Sequence, residues 1–369
     1  MEDINAPDPP AGGEMRRSMS KKKRTDYFMS LIQSTNTKES NDLSSPLGDR
    51  GIRGKILCIG EALIDMICTD KGSSLSDGNN FLKKAGGAPT NVAAAIAALG
   101  GQVELAAKVG VDPFGNHLIK VMNDFGVSTK WMLQDENYFT TFAFVSLMEN
   151  GERDFYFNRG ADGQLSLEEI DKIDLDEFSI IHFGSATGFL PGPLQDAYRS
   201  LLKKALQKDI FISFDPNYRH LLFKNNTQTF IDQSWNFLDC CHFFKVSDEE
   251  AMLLTGTATL SDAVSALLEK TDAVFAITLG KDDTMLGFGN STIIVPSIAV
   301  KPVDTTGAGD AFVGAVLYQV GSKTLGQIKE MTVAQWQSIV VNANKAGART
   351  CEYMGAMEAF KHLNSSIFK

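Results

Sequence analysis

Residues 303–317 read VDTTGAGDAFVGAVL, and they place a carboxylate, Asp310, between a turn of small residues and an apolar run. An ionised group beside buried surface carries a desolvation cost, so a chain building only a core would leave it out. Gly307, Ala308 and Gly309 suggest what offsets that cost. Small residues let backbone N–H groups converge at the start of a helix, and AFVGAVLYQV is apolar enough to be a buried one. Such a start binds anions. A carboxylate beside it can take a proton from a hydroxyl while the N–H groups hold the developing charge of a transferring phosphoryl group. The plainer alternative is a helix entered through a glycine turn and capped by Asp310.

Spacing removes two competitors. No G-x-x-x-x-G-K-[ST] occurs: LGKDD has the Gly-Lys pair without the earlier Gly or the following Ser or Thr. No strand-like run leads into G-x-G-x-x-G, so the dinucleotide-binding fingerprint is missing as well.

The elements that must position these groups follow from hydrophobic pattern. From Lys55 onward, short apolar runs (KILCIG, IIHFGS, IFISFD, HFFKVS, VFAITLG) alternate with amphipathic stretches such as PTNVAAAIAALGG and DPFGNHLIKVMNDFG. Each run ends in Gly, Ser or Asp, and SIAVKPV before the glycine turn also looks strand-like. The alternation predicts an α/β fold, a mainly parallel sheet covered by helices on both faces. Ligands gather at the carboxyl ends of the strands in such folds. Two segments break the rhythm: residues 138–162, an alternating hairpin around ENGE, and the turn-rich stretch 65–84. Together they predict a small β lid.

Composition bounds the rest. The chain has 369 residues, 43% hydrophobic and 22% charged, with a formal net charge of −10. That balance argues against nucleic acid or an anionic membrane as partner and for a small molecule. The five cysteines show no metal-ligand spacing and suit reduced thiols in the cytoplasm. No run approaches the roughly 20 apolar residues of a membrane span. Residues 1–53 are rich in Pro, Gly, Ser, Asn and charge, and read as a disordered extension before a single domain over 54–369.

DTTGAGDAF, with GEALID, AGGAPTNVAAAIAALGG, FDPNYR and ITLGKD in their order along the chain, closely resembles the PfkB (ribokinase-like) carbohydrate kinases, the fructokinase branch in particular. The resemblance implies a three-layer α/β/α sandwich with a β lid, ATP and Mg²⁺ as cofactors, and a sugar as substrate. It gives Asp310 the role of base and Gly307, Ala308 and Gly309 that of anion hole. Asp65, Gly86, Gly87 and Asn91 fall to the sugar, whose hydroxyls pair with carboxylate and amide groups. Arg159 and Arg219 can each reach a sugar oxygen or a phosphate. FFKVSDEE resembles the family's K-x-N-x-x-E element: Lys245 and Glu250 are kept, Glu250 to order the metal through water, while Ser247 stands where Asn is common near the phosphates. Asp283 replaces the usual Gly of G-K-D-G in a turn expected to be left-handed, and Thr278 and Gly280 flank ATP. NANKAGARTCEYMGAM resembles the adenine-covering segment, with Asn344 at its wall and Asp304 and Thr306 as ligands of a potassium ion. Other sugar kinases of the fold, for 2-keto-3-deoxygluconate or inositol, remain alternatives, as does a non-catalytic sugar- or nucleotide-binding regulator. Weak alternation in FAFVSLM leaves both hairpin faces in need of cover and predicts a homodimer through the lid, sensitive to charge at Phe144.

Because its composition cannot build a packed face, the extension is expected to be dispensable. Deleting residues 1–53 should leave melting temperature and turnover unchanged within error; a large fall in melting temperature would show that it docks on the domain.

Overall fold

A computed structural model describes residues 54–148, 153–184 and 186–369. The extension 1–53 and the ENGE turn lie outside the described residues. Thirteen strands among these residues form two sheets. The large one runs β13 (Ser291–Val295), β12 (Thr284–Phe288), β11 (Val274–Thr278), β10 (Phe243–Ser247), β9 (Phe211–Phe214), β8 (Phe178–Phe183), β1 (Lys55–Ile59), β4 (Gln102–Gly110), β5 (Met132–Asp135). Every pairing from β11 to β5 is parallel, and only the β11–β12–β13 edge is antiparallel.

Why the central strands are apolar on both faces is visible in β1. Ile56 and Cys58 enter one hydrophobic cluster, and Leu57 and Ile59 the other. Successive side chains of a strand point to opposite faces, so a sheet covered on both sides needs apolar residues at each position. The first cluster packs under α1 (Ala88–Ala98), α7 (Ala308–Val320) and α8 (Val333–Cys351). The second lies under α3 (Pro193–Gln207), α4 (Thr227–Leu238), α5 (Asp248–Thr255) and α6 (Leu260–Lys270). Helix α2 (Pro113–Phe125) starts at Asp112, whose side chain accepts from Phe114 and Gly115 N–H, and ends at left-handed Gly126. Among the described residues no single helix is long and apolar enough to cross a membrane.

One expected strand is absent. SIAVKPV is an exposed extended segment between β13 and α7. Pro296 and Pro302 bracket it without N–H donors, and Ser297 N–H goes to the Asp283 carboxylate at 3.2 Å instead of a ladder. Nor is Asp283 left-handed: among the described non-glycine residues, positive φ occurs only at Asp209 and Asn217.

The two excursions pair as a separate four-stranded sheet, β3 (Phe81–Gly86), β2 (Leu63–Cys68), β6 (Phe142–Leu147), β7 (Arg153–Asn158). Its register sets Asp65 opposite Lys84 and Ala143, and Ile67 opposite Leu82 and Val145, on one face. Phe144 belongs to the other face, its ring 5.8 Å from Phe142 and 6.3 Å from Phe81. Phe142 in turn meets Phe114 of α2 at 4.8 Å. A charge at Phe144 therefore strikes the small sheet's own ring cluster of Phe81, Phe142 and Tyr156, and exposed apolar groups lie on both faces, Ile67 and Leu82 on the one with Asp65 and Tyr156 on the other.

Helices α1 and α7 approach closely because Gly314 has no side chain: a β-carbon there would stand 2.8 Å from Ala95 Cβ. Gly314→Val should therefore wedge the pair apart and cost about 1–3 kcal/mol of stability in urea unfolding, with a loss of turnover. Stability equal to wild type would show that the close approach is not needed.

Candidate active site

The first turns of α1 and α7, strand β2 and the carboxyl ends of β9, β10 and β11 supply the site. α7 begins after Gly307, whose left-handed φ of 81° and 2.5 Å clearance to Ala356 Cβ admit no side chain. Ala308 N–H donates to the Thr305 carbonyl at 3.2 Å and Ala311 N–H to that of Gly307 at 2.8 Å, so Gly309 and Asp310 supply the uncommitted donors of the first turn. Asp310 does not cap the helix, which has no side-chain cap. Its Oδ2 instead accepts from Asn91 Nδ2 at 2.8 Å. Asn91 is buried on α1, and its Oδ1 has no partner. The same side chain thus orients the carboxylate and keeps an acceptor for a ligand hydroxyl.

Burial pushes the Asp310 carboxyl up to about 6; the Asn91 hydrogen bond opposes this, the neighbouring Asp215 charge adds to it, and Lys245 and Arg219 oppose it. Asp65 on β2 is also pushed up to about 6 by burial, against the pull of Arg219. Gly86 makes room for it, since a β-carbon there would stand 2.0 Å from Asp65 Oδ2, and Gly87, at φ 107°, passes 2.4 Å from the Glu61 carbonyl by the same measure. Asp65, Asn91, Arg219 and Asp310 therefore share one site.

The other arginine is engaged elsewhere. Arg159 donates through Nη1 to the Pro191 carbonyl at 2.7 Å and through Nη2 to that of Thr187 at 3.2 Å, with Nε 3.7 Å from Asp162 Oδ2. It fastens the exit of the small sheet to the 187–191 loop, and Arg219 is the guanidinium whose field reaches both site carboxylates.

On the opposite flank Lys245 Nζ lies beside the glycine turn: a β-carbon on Gly309 would be 3.2 Å from it. Ser247 and Glu250 form a capping box that opens α5, the Ser247 hydroxyl taking Glu250 N–H at 3.1 Å and Glu250 Oε2 taking Ser247 N–H at 2.8 Å. Glu250 Oε1 accepts from Tyr218 N–H at 2.7 Å, joining this turn to the DPNYR loop. Both oxygens of the expected metal-ordering carboxylate therefore hold backbone, and among the described residues no group of three or more His, Cys, Asp or Glu is placed to hold a metal. Thr278 ends β11 with its hydroxyl on the Val246 carbonyl at 3.4 Å, and Gly280 follows at φ 64° in open space.

Asp304 pins the loop before the turn, Oδ1 accepting from Thr306 N–H at 3.0 Å and Thr306 Oγ1 at 2.7 Å, and Oδ2 from Gly355 N–H at 2.7 Å. Burial works against its charge, yet these bonds keep its carboxyl below the ordinary range. Asn344 is buried and fully used: Oδ1 accepts from Thr284 Oγ1 at 2.8 Å, and Nδ2 donates to the Pro296 carbonyl at 3.0 Å. It shapes a wall through packing, with no amide group left over.

Sequence reasoning passed over Asp215, Asn217 and His182. Asp215 stands directly after the apolar run IFISF, a place shared by the ordinary Gly, Ser and Asp endings of the other strands. Asn217 is buried at φ 48° with Nδ2 unpartnered. His182, fully buried on β8, lies 3.1 Å from Ser213 Oγ through Nδ1, and burial holds its pKa down at about 4.

Comparison with known proteins bears on the family and the fold. The profile of the pfkB family carbohydrate kinases matches residues 53–362. Probable fructokinase-5 of Arabidopsis thaliana is 36% identical over 309 residues, spanning 82% of this chain and 93% of that protein. Fructokinase from Xylella fastidiosa with bound ATP superposes with a TM-score of 0.74 at 28% identity, covering 86% of this chain and 97% of that one. A fructokinase double mutant from Vibrio cholerae O395, bound to fructose, ADP and a potassium ion, gives 0.72 at 27% identity, over 86% and 98%. With the family matched over nearly all of the described residues, on a fold whose strand ends and helix starts already hold the site, this chain belongs to the pfkB family and is an ATP-dependent carbohydrate kinase.

Proposed function

We propose that this kinase transfers the terminal phosphoryl group of ATP to the 6-hydroxyl of fructose. The observation that carries the reading is the Asn91–Asp310 bond of 2.8 Å, with Asn91 Oδ1 left unpartnered. A base whose carboxylate is oriented by an amide, next to an acceptor waiting for a hydroxyl, is built for a polyol. Asp310 removes the hydroxyl proton as the oxygen attacks. The Gly307–Gly309 turn receives the charge developing on the phosphoryl oxygens, through the Gly309 and Asp310 N–H groups and the nearby Lys245 ammonium. Asp65, Asn91 and the Gly86–Gly87 backbone hold the sugar, with Arg219 balancing the two carboxylates. Ser247, Thr278 and Gly280 border the nucleotide.

Mg²⁺ fits this donor set as a cation carried on the triphosphate, because it is commonly held by phosphates, waters and one or two carboxylates. Bound there it would neutralise charge on the phosphates. Glu250 would serve it by fixing the Tyr218 and Ser247 backbone. The Asp304 carboxylate, bonded to the Thr306 hydroxyl, and that hydroxyl would be the side-chain oxygens offered to K⁺. The exposed Arg219 guanidinium, whose field reaches Asp65, also favours a second reading, a keto-acid sugar such as 2-keto-3-deoxygluconate, whose carboxylate would take that guanidinium.

Replacing Asp310 by Asn should lower turnover by about 10²–10⁴-fold with little change in ATP affinity. Its effect on stability has the opposite sign. The folded-state pKa of about 6 lies above the ordinary value of 3.8, so the folded state binds the proton more tightly and stability falls as pH rises through that window. At pH 7 the uncharged Asn variant is therefore expected to melt higher than wild type. A variant that keeps a tenth of the activity contradicts the assignment.

The same proposal includes a two-fold homodimer through the small sheet. Ile67, Leu82 and Leu147 are 39%, 44% and 60% exposed, and the first two share the face that bears Asp65. Sedimentation at micromolar concentration should give a dimer that Leu82→Asp dissociates. A monomer in wild type, with and without sugar, would end that part of the proposal.

A further inference from the structure

Asp215 directly follows β9 and is 2% exposed. The reading above gives it no task, yet both of its oxygens are committed. Oδ2 accepts from Lys245 Nζ at 2.9 Å, and Oδ1 accepts from Asn217 N–H at 3.1 Å. The second bond is available because Asn217 takes the left-handed φ of 48°, a conformation that Asn tolerates better than most side chains. The next N–H, of Tyr218, belongs to Glu250, so the loop is fastened on both sides of Asn217. Lys245 is 8% exposed, and its ammonium lies beside Gly309. A cation so placed stays charged only if a carboxylate compensates its lost hydration.

We infer that Asp215 is a positioning residue: it holds the Lys245 ammonium fixed against the Gly309 turn, so that the cradle for the transferred phosphoryl group already contains a cation when the nucleotide arrives. The inference rests on the assignment of that turn as the phosphoryl cradle. Lys245 sits within β10 and Asp215 at the end of the neighbouring β9, so the 2.9 Å pair is built on the sheet itself, unlike a lysine carried on a loop that swings in with the triphosphate. Burial works against the Lys245 charge, but Asp215 and Glu250 outweigh it, and its pKa stands at about 12. The preset cation matters most for the oxygens of the terminal phosphoryl, which ATP has and ADP lacks.

A second consequence reaches Asp310. The charged or hydrogen-bonding groups around that carboxylate are Asn91 from α1, Asp215 at the end of β9, Lys245 from β10 and Arg219 from the DPNYR loop. His182 lies close enough to feel both Asp215 and Lys245 but is held neutral. Of these groups, Asp215 alone carries negative charge, so it opposes ionisation of the base, and its removal should make Asp310 easier to ionise.

A double-mutant cycle tests this with a non-hydrolysable ATP analogue and with ADP, both titrated by calorimetry into wild type, Asp215→Asn, Lys245→Gln and the double variant. Asp215→Asn is expected to weaken the analogue roughly 10- to 100-fold, the range seen when a partner that orients a binding group is lost. ADP should be affected far less. In the Lys245→Gln background the same change should alter affinity by no more than about 2-fold, because Asp215 then has no ammonium to hold. Asp215→Asn should also move the acid limb of kcat/KM to lower pH by roughly one unit, a readout that a purely structural ion pair would not move. If the single variant fails to fold with its lysine left uncompensated, the neutral double variant against Lys245→Gln still decides: equal analogue affinity supports the inference. A further 10-fold loss in the double variant, or wild-type affinity in Lys245→Gln, overturns it. A wild-type profile with no acid limb would count against Asp310 as base and leave the binding cycle to judge Asp215 by itself.

Discussion

The hydrogen bond from Asn91 to Asp310 joins two residues 219 positions apart, and the rest of the site depends on its being geometrically possible. Even to an ionised carboxylate such a bond contributes only about 1.5–3 kcal/mol net, so it cannot be what brings α1 and α7 together. Packing does that. Ala93, Ala94 and Ala95 on one helix and Gly314 and Ala315 on the other are buried, and their small size sets the separation of the helix axes. The amide and carboxylate meet as a consequence. Large side chains at this seam would have built as good a hydrophobic core and no active site.

Around that bond the electrostatics are balanced, with burial dominating. Asp65 and Asp310 are both pushed up to about 6 by loss of water, while Arg219, Lys245 and the Asn91 amide keep ionisation within reach. A carboxylate poised near neutral pH is a better proton acceptor than one near its ordinary value, and the folded state gives up stability to hold it there. Tuned acidity of this kind is expected where burial and specific charged partners meet at a functional site.

What the sequence disclosed follows the same physics. The glycine turn and Asp310 were legible because each violates the pattern of a plain core, and β1, β8, β9, β10 and β11 because a doubly covered sheet needs apolar side chains on both faces. The small sheet was legible from its alternation. Three readings could not be made from types and spacing alone. Arg159 and Arg219 look alike in sequence, and only the path of the 187–191 loop decides that the first is occupied by carbonyls. Asp215 was hidden because its partner, Lys245, lies 30 residues away on the neighbouring strand. SIAVKPV has the composition of a strand, but strands need partners, and two prolines with an exposed course gave it none.

The dependence of kcat/KM for fructose on pH tests the central claim most directly, since in the free enzyme it reports the ionisation of the catalytic base. With Asp310 as a base of pKa about 6, kcat/KM should rise with pH through that value and then level off. A profile that is flat from about pH 5 to 8, with fructose phosphorylated throughout, would contradict the account.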